Sequence, residues 1–358
     1  MKKDVLVAMS GGVDSSVAMH KIIRAGHNAV GVTMKLWDNK DPKTNMIKPS
    51  LCNSADAING AKLVCDRLGV KHYTINFMDL FKKHVIDDFA SQYMSGKTPN
   101  PCVKCNSIIK WDALMNFASE IGFEYIATGH YAQIDQKDGE YLIKKGVDKT
   151  KDQSYMLWDI DQSQLSKTIF PIGSLTKDEV RDYATKHKLE TANRNESQDL
   201  CFVLDNDYNQ FLHEIAPDKM SKIKDGPIEN ENGDIVGKHE GFTKYTIGQR
   251  RGLGLSFPEP QYVKKINPIN NTITVGTKKS LFSKECLAHE INLFIKDATF
   301  PMEVDAKIRY NSKSSSAIIK KELEELKITF SEPQLAITPG QSVVFYNGDR
   351  MIGGAIIK

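Results

Sequence analysis

The 358-residue chain has no apolar stretch approaching the roughly 18 residues that a membrane-spanning helix needs, so the sequence offers no helical span. Its start, MKKDVLVAMSGG, imitates the basic opening of a secretory leader. The apolar run there is too short and Asp4 interrupts the approach to it, so the expected location is the cytoplasm. Cysteines are few, six in all: Cys52, Cys65, Cys102, Cys105, Cys201 and Cys286. In a chain this long they do not form a disulfide framework. A reducing compartment is expected, where any disulfide would be transient and catalytic. Charge of one sign is also missing: 48 Lys and Arg against 45 Asp and Glu give a net +3, too mild to announce nucleic-acid binding by itself. The basic clusters are local, KKGVDKTK at Lys144–Lys151 and the pair Arg250-Arg251. There is no internal repeat and no low-complexity segment. Neither GxxxxGK[ST] nor GxGxxG occurs. The single CxxC, Cys102 to Cys105, lacks the second ligand pair of a structural zinc site.

What is there is ordinary globular composition, 40% hydrophobic and 26% charged, organised as alternating strands and helices. Val5–Met9 reads as a strand, Ser15–Arg24 as a helix ended by Gly26, and Ala29–Met34 as the next strand. Ser54 caps an expected helix whose apolar face includes Ile58, Ala61, Val64 and Leu68. A strand at His72–Ile75, a helical stretch over 79–93, a helix capped by Asn106 and a strand at Tyr125–Thr128 follow. This alternation implies a parallel sheet covered on both faces, with ligands beyond the carboxyl ends of its strands. That rule points to Ser10–Ser16, Met34 and Gly129–His130. Further on, a hairpin is expected around Asp138-Gly139. Thr176 and Glu179 form a capping box that opens a helix to about His187, and another helix lies near Tyr208–Ile215. From about 276 short alternating runs dominate, as in a small barrel or sandwich.

The first strand runs into SGGVDSS, Ser10–Ser16. A strand that enters a helix through SGG exposes backbone N–H groups at a helix N-terminus, where they and the helix dipole bind phosphate. Glycine removes the side chains that would block approach. The dipole contributes only about 0.3–1 kcal/mol to holding an exposed charge, so a divalent cation is expected with a triphosphate, with Asp14 as ligand or supporting group. Far along the chain, Thr98–Asn106 reads TPNPCVKCN. Its two prolines suggest an ordered turn rather than a helix. Cys105, just before the expected Asn106 cap, would then have its thiolate stabilised by a helix N-terminus. Cys201 lies in NESQDLCFV. Cys52, Cys65 and Cys286 read as buried small hydrophobes, and His72 and His84 as structural or surface groups.

SGGVDSS resembles the PP-loop of the ATP pyrophosphatases, which cleave ATP between the α and β phosphates. With VTMKLW, TPNPCVKCN and IIKW, YIATGHYA, KDQSYML, SQDLCFV, TIGQRRGLG and PGQSVVFYNGD, in that order, the chain resembles the tRNA-specific 2-thiouridylases over essentially its whole length. The resemblance implies an α/β fold in three domains. A parallel-sheet PP-loop domain (adenine nucleotide α-hydrolase-like) would span 1–205, a small central mixed domain 206–275, and a C-terminal antiparallel β-barrel that contacts tRNA 276–358. It implies that ATP lies on Ala8, Met9, Ser10, Gly11, Gly12, Val13, Asp14 and Ser15, with the backbone at Met34 and Gly129 on its adenosine part. Magnesium is expected with it. The target base would lie against Asn100, Pro101 and Cys102. His130, Lys151, Asp152, Gln153, Arg309, Tyr310 and Gln341 match tRNA-contacting positions.

The implied reaction transfers AMP to the C2 oxygen of the wobble uridine, after which sulfur displaces AMP. Cys201 would carry the sulfur as a persulfide and Cys105 would be the nucleophile, the two forming a transient disulfide. Expected partners are tRNAs for Lys, Glu and Gln, and a cysteine desulfurase or sulfur carrier; no membrane is expected. Some family members have an acidic residue where this chain has Cys102. Because related thiolation enzymes use three cysteines, a [4Fe–4S] cluster on Cys102, Cys105 and Cys201 is an alternative. Other readings remain open at this level: an amidating synthetase, a nucleotide-switched RNA-binding protein, and a dithiol redox protein built on CVKC.

Overall fold

A computed structural model describes residues 1–38, 55–137, 139–192, 194, 200–203 and 207–358. Ser54, Cys52, Asp138 and the start of the NESQDLCFV stretch lie outside the described residues. The chain divides into two compact units.

The first unit contains residues 1–86, 102–206 and 348–352. Strands β1 (Asp4–Ala8), β2 (Asn28–Lys35), β3 (His72–Asn76), β4 (Tyr125–Ala127) and β7 (Thr168–Ile169) form one sheet in the order β3-β2-β1-β4-β7, the intervening β5 (Ala132–Lys137) and β6 (Glu140–Lys145) forming the expected antiparallel hairpin. Every pair in the five-stranded sheet is parallel. Residues Val5–Val7 have no exposed surface, as strands covered on both faces require. Helices α1 (Val13–Arg24) and α2 (Ala55–Arg67) supply cover: Met19, Ile22, Ala61, Val64 and Cys65 pack with Val5, Val7 and Met9. Val17 and Ala18, on another side of α1, pack with Val180 and Ala184 of the helix Lys177–Lys186. Strand order reverses between β1 and β4, and the crevice at such a reversal is where ligands of this sheet type bind. It falls beside Ser10–Ser16 and Gly129. The Thr176–Glu179 capping box is present, both reciprocal hydrogen bonds included.

Thr98–Asn106 is not all turn, and Asn106 is not a cap. A helix starts at Pro101, becomes a π-helix over Cys105–Ala113 and ends as α-helix at Glu120. Proline is favoured at a helix's first position, where its missing N–H has no partner to lose. Asn106 is instead buried, and its amide donates to the Met156 carbonyl at 2.8 Å. The helical stretch over 79–93 likewise contains a π-helical turn, Lys82–Ile86.

The second unit contains residues 87–101, 207–347 and 353–358. Its helix Tyr208–Ile215 is capped by Asp207. A four-stranded sheet follows, built from Gly226–Glu229, Ile235–His239, Tyr262–Asn267 and Thr272–Gly276 around Ile228, Val263, Ile273 and Val275. The last six strands run antiparallel, and pairing of Phe282–Leu293 with Arg350–Ile357 closes them into a barrel.

Candidate active site

The SGGVDSS loop is built on its two glycines in different ways. Gly11 has φ +75°, and a Cβ there would stand 2.3 Å from the Ala57 carbonyl oxygen of α2. Glycine at this position is a folding requirement. Gly12 is the N-cap of α1, with φ −88° and ψ 168°, which any residue adopts. A Cβ on Gly12 would meet nothing nearer than Ser10 Oγ at 3.5 Å. Folding therefore does not demand glycine at 12; the open face does. No side chain caps α1, so its first-turn N–H groups face the space above Gly12. The Ser15 and Ser16 hydroxyls donate inward to the Gly12 carbonyl at 3.0 and 2.9 Å. They stiffen the loop, and Ser15 offers its backbone rather than its hydroxyl. Gly11→Ala is expected to lower stability by about 2–4 kcal/mol, combining left-handed strain with overpacking; urea titration checks it.

Asp14, in the first turn of α1, is already engaged. The Lys177 ammonium donates to both its carboxylate oxygens at 2.8 and 2.9 Å, and the Tyr131 hydroxyl donates to Oδ1 at 2.8 Å. This does not fit a ready magnesium ligand. Gly129 sits against the same turn: a Cβ there would come within 2.8 Å of the Asp14 carbonyl carbon and the Ser15 nitrogen. Met34, near the carboxyl end of β2, pairs with Ile75.

Cys102, Cys105 and Cys201 are thiols of intermediate burial in the first unit. The ring of Phe202, next to Cys201, packs edge-on against Phe81 with centroids 5.8 Å apart. The turn Met78–Phe81 also contacts the π-helix that begins at Cys105. Both cysteine-bearing segments thus pack on one turn. Arg194, which leads into the Cys201 segment, donates to the Gly11 carbonyl and the Asp56 carbonyl, each at 2.8 Å. Among the described residues no group of three or more His, Cys, Asp or Glu is placed to hold a metal ion. The three thiols therefore do not fit an iron–sulfur site in this arrangement. Burial pushes the Cys65 and Cys286 thiols up to about 12, which makes them poor nucleophiles.

His130 follows Gly129 with both ring nitrogens engaged. Lys110 Nζ lies 3.3 Å from Nε2 and Thr128 Oγ1 lies 2.7 Å from Nδ1. An ammonium only donates, so Nε2 accepts and Nδ1–H donates to Thr128. Burial, and then Lys110, hold this imidazole well below 6.5. Burial lowers His239 as well. Each histidine's folded value lies below its unfolded one, so the unfolded chain binds more protons as pH falls below 6.5. Stability is complete above that value and is lost beneath it. Thermal melts are expected to shift down between about pH 7.5 and about pH 5.5, and His130→Gln is expected to flatten that slope.

Lys151, Asp152 and Gln153 form a half-exposed turn in the first unit, pinned by Asp152 Oδ1, which accepts from the Gly146 and Ser154 N–H groups at 3.0 and 3.1 Å. In the second unit, Arg309 donates to the Ala336 carbonyl and to Thr338 Oγ1, and Lys307 lies over the Tyr310 ring at 5.6 Å. Gln341 Nε2 donates to the Thr98 carbonyl at 2.8 Å and more weakly to that of Pro99 at 3.3 Å. It thereby orders the backbone just before Asn100 and Pro101.

Sequence reasoning missed Lys177, Tyr131 and Arg194. Tyr131 and Arg194 carry no local signal. Lys177 carries one: it is the first residue of a helix, where the dipole disfavours a cation. A lysine there needs a partner, and Asp14 is that partner.

A parallel sheet whose first crevice holds an uncapped helix behind an open glycine defines an α/β nucleotide-binding enzyme of the PP-loop type. Family profiles agree. The profile described as "tRNA methyl transferase HUP domain" matches residues 3–205, "tRNA methyl transferase PRC-barrel domain" matches 209–277, and "Aminomethyltransferase beta-barrel domain" matches 283–357. The tRNA-specific 2-thiouridylase MnmA of Carboxydothermus hydrogenoformans is 45% identical over 363 residues, covering 100% of this chain and 98% of that one. Those of Acetivibrio thermocellus and Clostridioides difficile are 44% and 45% identical, each covering 100% of this chain and 99% of theirs. The chain belongs to the tRNA-specific 2-thiouridylase family.

Proposed function

We propose that the chain is an ATP-dependent tRNA uridine 2-sulfurtransferase that makes 2-thiouridine at the wobble position. The observation that carries the reading is Gly12, whose missing side chain leaves open the end of α1, in the same unit as two half-buried cysteines that share one packing turn. The α1 N-terminus receives the phosphates of ATP, and the backbone at Met34 and Gly129 borders its adenosine part. The uridine C2 oxygen attacks the α phosphorus, the bond to the β-phosphate oxygen breaks, and pyrophosphate leaves. AMP on that oxygen turns a poor leaving group into a good one. Sulfur then attacks C2, the C2–O bond breaks, and AMP departs with the original oxygen.

The sulfur arrives as a persulfide on Cys201, loaded by a cysteine desulfurase or a carrier. Either its terminal sulfur attacks C2 and Cys105 then cleaves the sulfur–sulfur bond, or Cys105 first releases it as sulfide. Both routes leave a Cys105–Cys201 disulfide that two electrons from an external thiol must reduce. Asn100, Pro101 and Cys102 border the base. Cys102 stands where some family members carry an acidic residue, so this chain has no carboxylic acid at that position. His130, Lys151, Asp152, Gln153, Arg309, Tyr310 and Gln341 contact the RNA or order the segments that do, and Lys151 and Arg309 suit phosphates. The substrates are tRNAs for Lys, Glu and Gln. Magnesium accompanies ATP, held by the phosphates rather than by Asp14. No helix among the described residues is long and apolar enough to cross a membrane, and the cytoplasm is the proposed location.

Purified tRNA, ATP, cysteine and a desulfurase should yield 2-thiouridine by nucleoside mass spectrometry. A competent reconstitution without it contradicts the reading.

A further inference from the structure

The proposed reaction needs ATP and RNA together, and the first unit contains a hydrogen-bond network that joins their two sites. It starts at the basic segment around 149–153. Gln153 holds Tyr131 at both backbone groups: Tyr131 N–H donates to Gln153 Oε1 at 3.0 Å, and Gln153 N–H donates to the Tyr131 carbonyl at 2.9 Å. The Tyr131 hydroxyl then reaches Asp14 of the PP-loop at 2.8 Å. Lys177 grips the same carboxylate through its side chain. Its backbone N–H returns to the RNA-side segment by donating to Asp148 Oδ2 at 2.9 Å, while Asp148 Oδ1 accepts from the Thr150 N–H and hydroxyl at 2.9 and 2.7 Å. The network thus runs from the 148–153 segment to the PP-loop and back along a second route.

Neither connecting side chain is placed to hold a ligand itself. Tyr131 is 3% exposed and the Lys177 side chain 9%. A purely stabilising role explains the pair poorly, because the Asp14 side chain keeps 31% of its surface exposed and solvent screens much of what such an ion pair gains. Ordering explains it better. Asp14 lies in the first turn of the helix that receives the polyphosphate, and its carboxylate would repel that ligand unless neutralised and turned aside. Lys177 does both, and Tyr131 ties that geometry to Gln153.

We propose that Tyr131 and Lys177 are positioning residues through which RNA on the 149–153 segment and ATP at the PP-loop each tighten the other's binding. The inference rests on the proposed function, which assigns the two ligands to these places. Coupling of this kind is reciprocal and typically about 5–150-fold.

The test uses the full chain, a tRNA transcript, and an ATP analogue whose α–β bridge is methylene, so that no AMP is transferred. Dissociation constants for the analogue are measured with and without tRNA. The wild type should bind it at least about fivefold more tightly with tRNA. In Tyr131→Phe, which removes one hydroxyl, and in Lys177→Met, the ratio should fall toward one. Tyr131→Phe should keep its affinity for tRNA alone and stay folded, with a melting temperature only a few degrees lower. A wild-type ratio of one, with both ligands bound, overturns the coupling and leaves the proposed function standing. So does an unchanged ratio in Tyr131→Phe. Failure of the wild type to bind either ligand overturns both.

Discussion

Cys201→Ser abolishes thiolation, by more than about a thousandfold, while tRNA-dependent release of pyrophosphate persists for a single turnover. A serine hydroxyl cannot hold sulfur as a persulfide, so the variant loses the group proposed to carry it. The PP-loop is untouched by the change, because Cys201 is not among the residues that shape it. Nucleoside mass spectrometry and a pyrophosphate assay on the same sample separate the two half-reactions. Cys65 and Cys286 cannot substitute, since burial pushes both thiols up to about 12 and leaves little thiolate near neutrality. If Cys201→Ser continues to thiolate at more than a few per cent of the wild-type rate, the persulfide assignment is wrong.

Gly12→Ala gives the second large effect. The added methyl meets only Ser10 Oγ at 3.5 Å, an ordinary contact, and the residue's φ of −88° suits alanine. Stability should therefore fall by no more than about 1 kcal/mol, the cost of alanine at an N-cap, because the change makes neither a cavity nor a clash. Affinity for ATP should fall by about 10–100-fold, because the methyl stands where a phosphate must approach and costs a charge-assisted hydrogen bond of about 1.5–3 kcal/mol. Gly11→Ala should behave in the opposite way, losing stability through strain and contact with Ala57. Two adjacent glycines thus separate folding from binding. Equal destabilisation by both changes, measured by urea titration beside nucleotide titration, contradicts the assignment of Gly12 to the ligand.

The fold was legible wherever local physics decided it. The alternation of apolar strands with amphipathic helices marked the parallel sheet, and Thr176 and Glu179 marked a helix start that the structure keeps. The turn at Gly139 and the antiparallel C-terminal strands followed from period-two patterning. TPNPCVKCN misled because proline signals both turn and helix start; at Pro101 it does the second. The π-helix over Cys105–Ala113 has no sequence period of its own, so an asparagine inside it imitated a cap.

In the candidate site the turn at Gly11 and the open position at Gly12 were visible from SGG. The Lys177–Asp14 pair was not, because it joins residues 163 positions apart. Arg194 spans a similar distance to Gly11. Long-range polar contacts of this kind leave only indirect traces, such as a lysine at the wrong end of a helix dipole.

If ATP activates the oxygen that sulfur replaces, that oxygen leaves on AMP. Uridine carrying oxygen-18 at C2, placed at the wobble position of the tRNA, tests it directly. One labelled oxygen is expected in the phosphate of each AMP released, in step with each 2-thiouridine formed. AMP without the label, alongside 2-thiouridine, would contradict it.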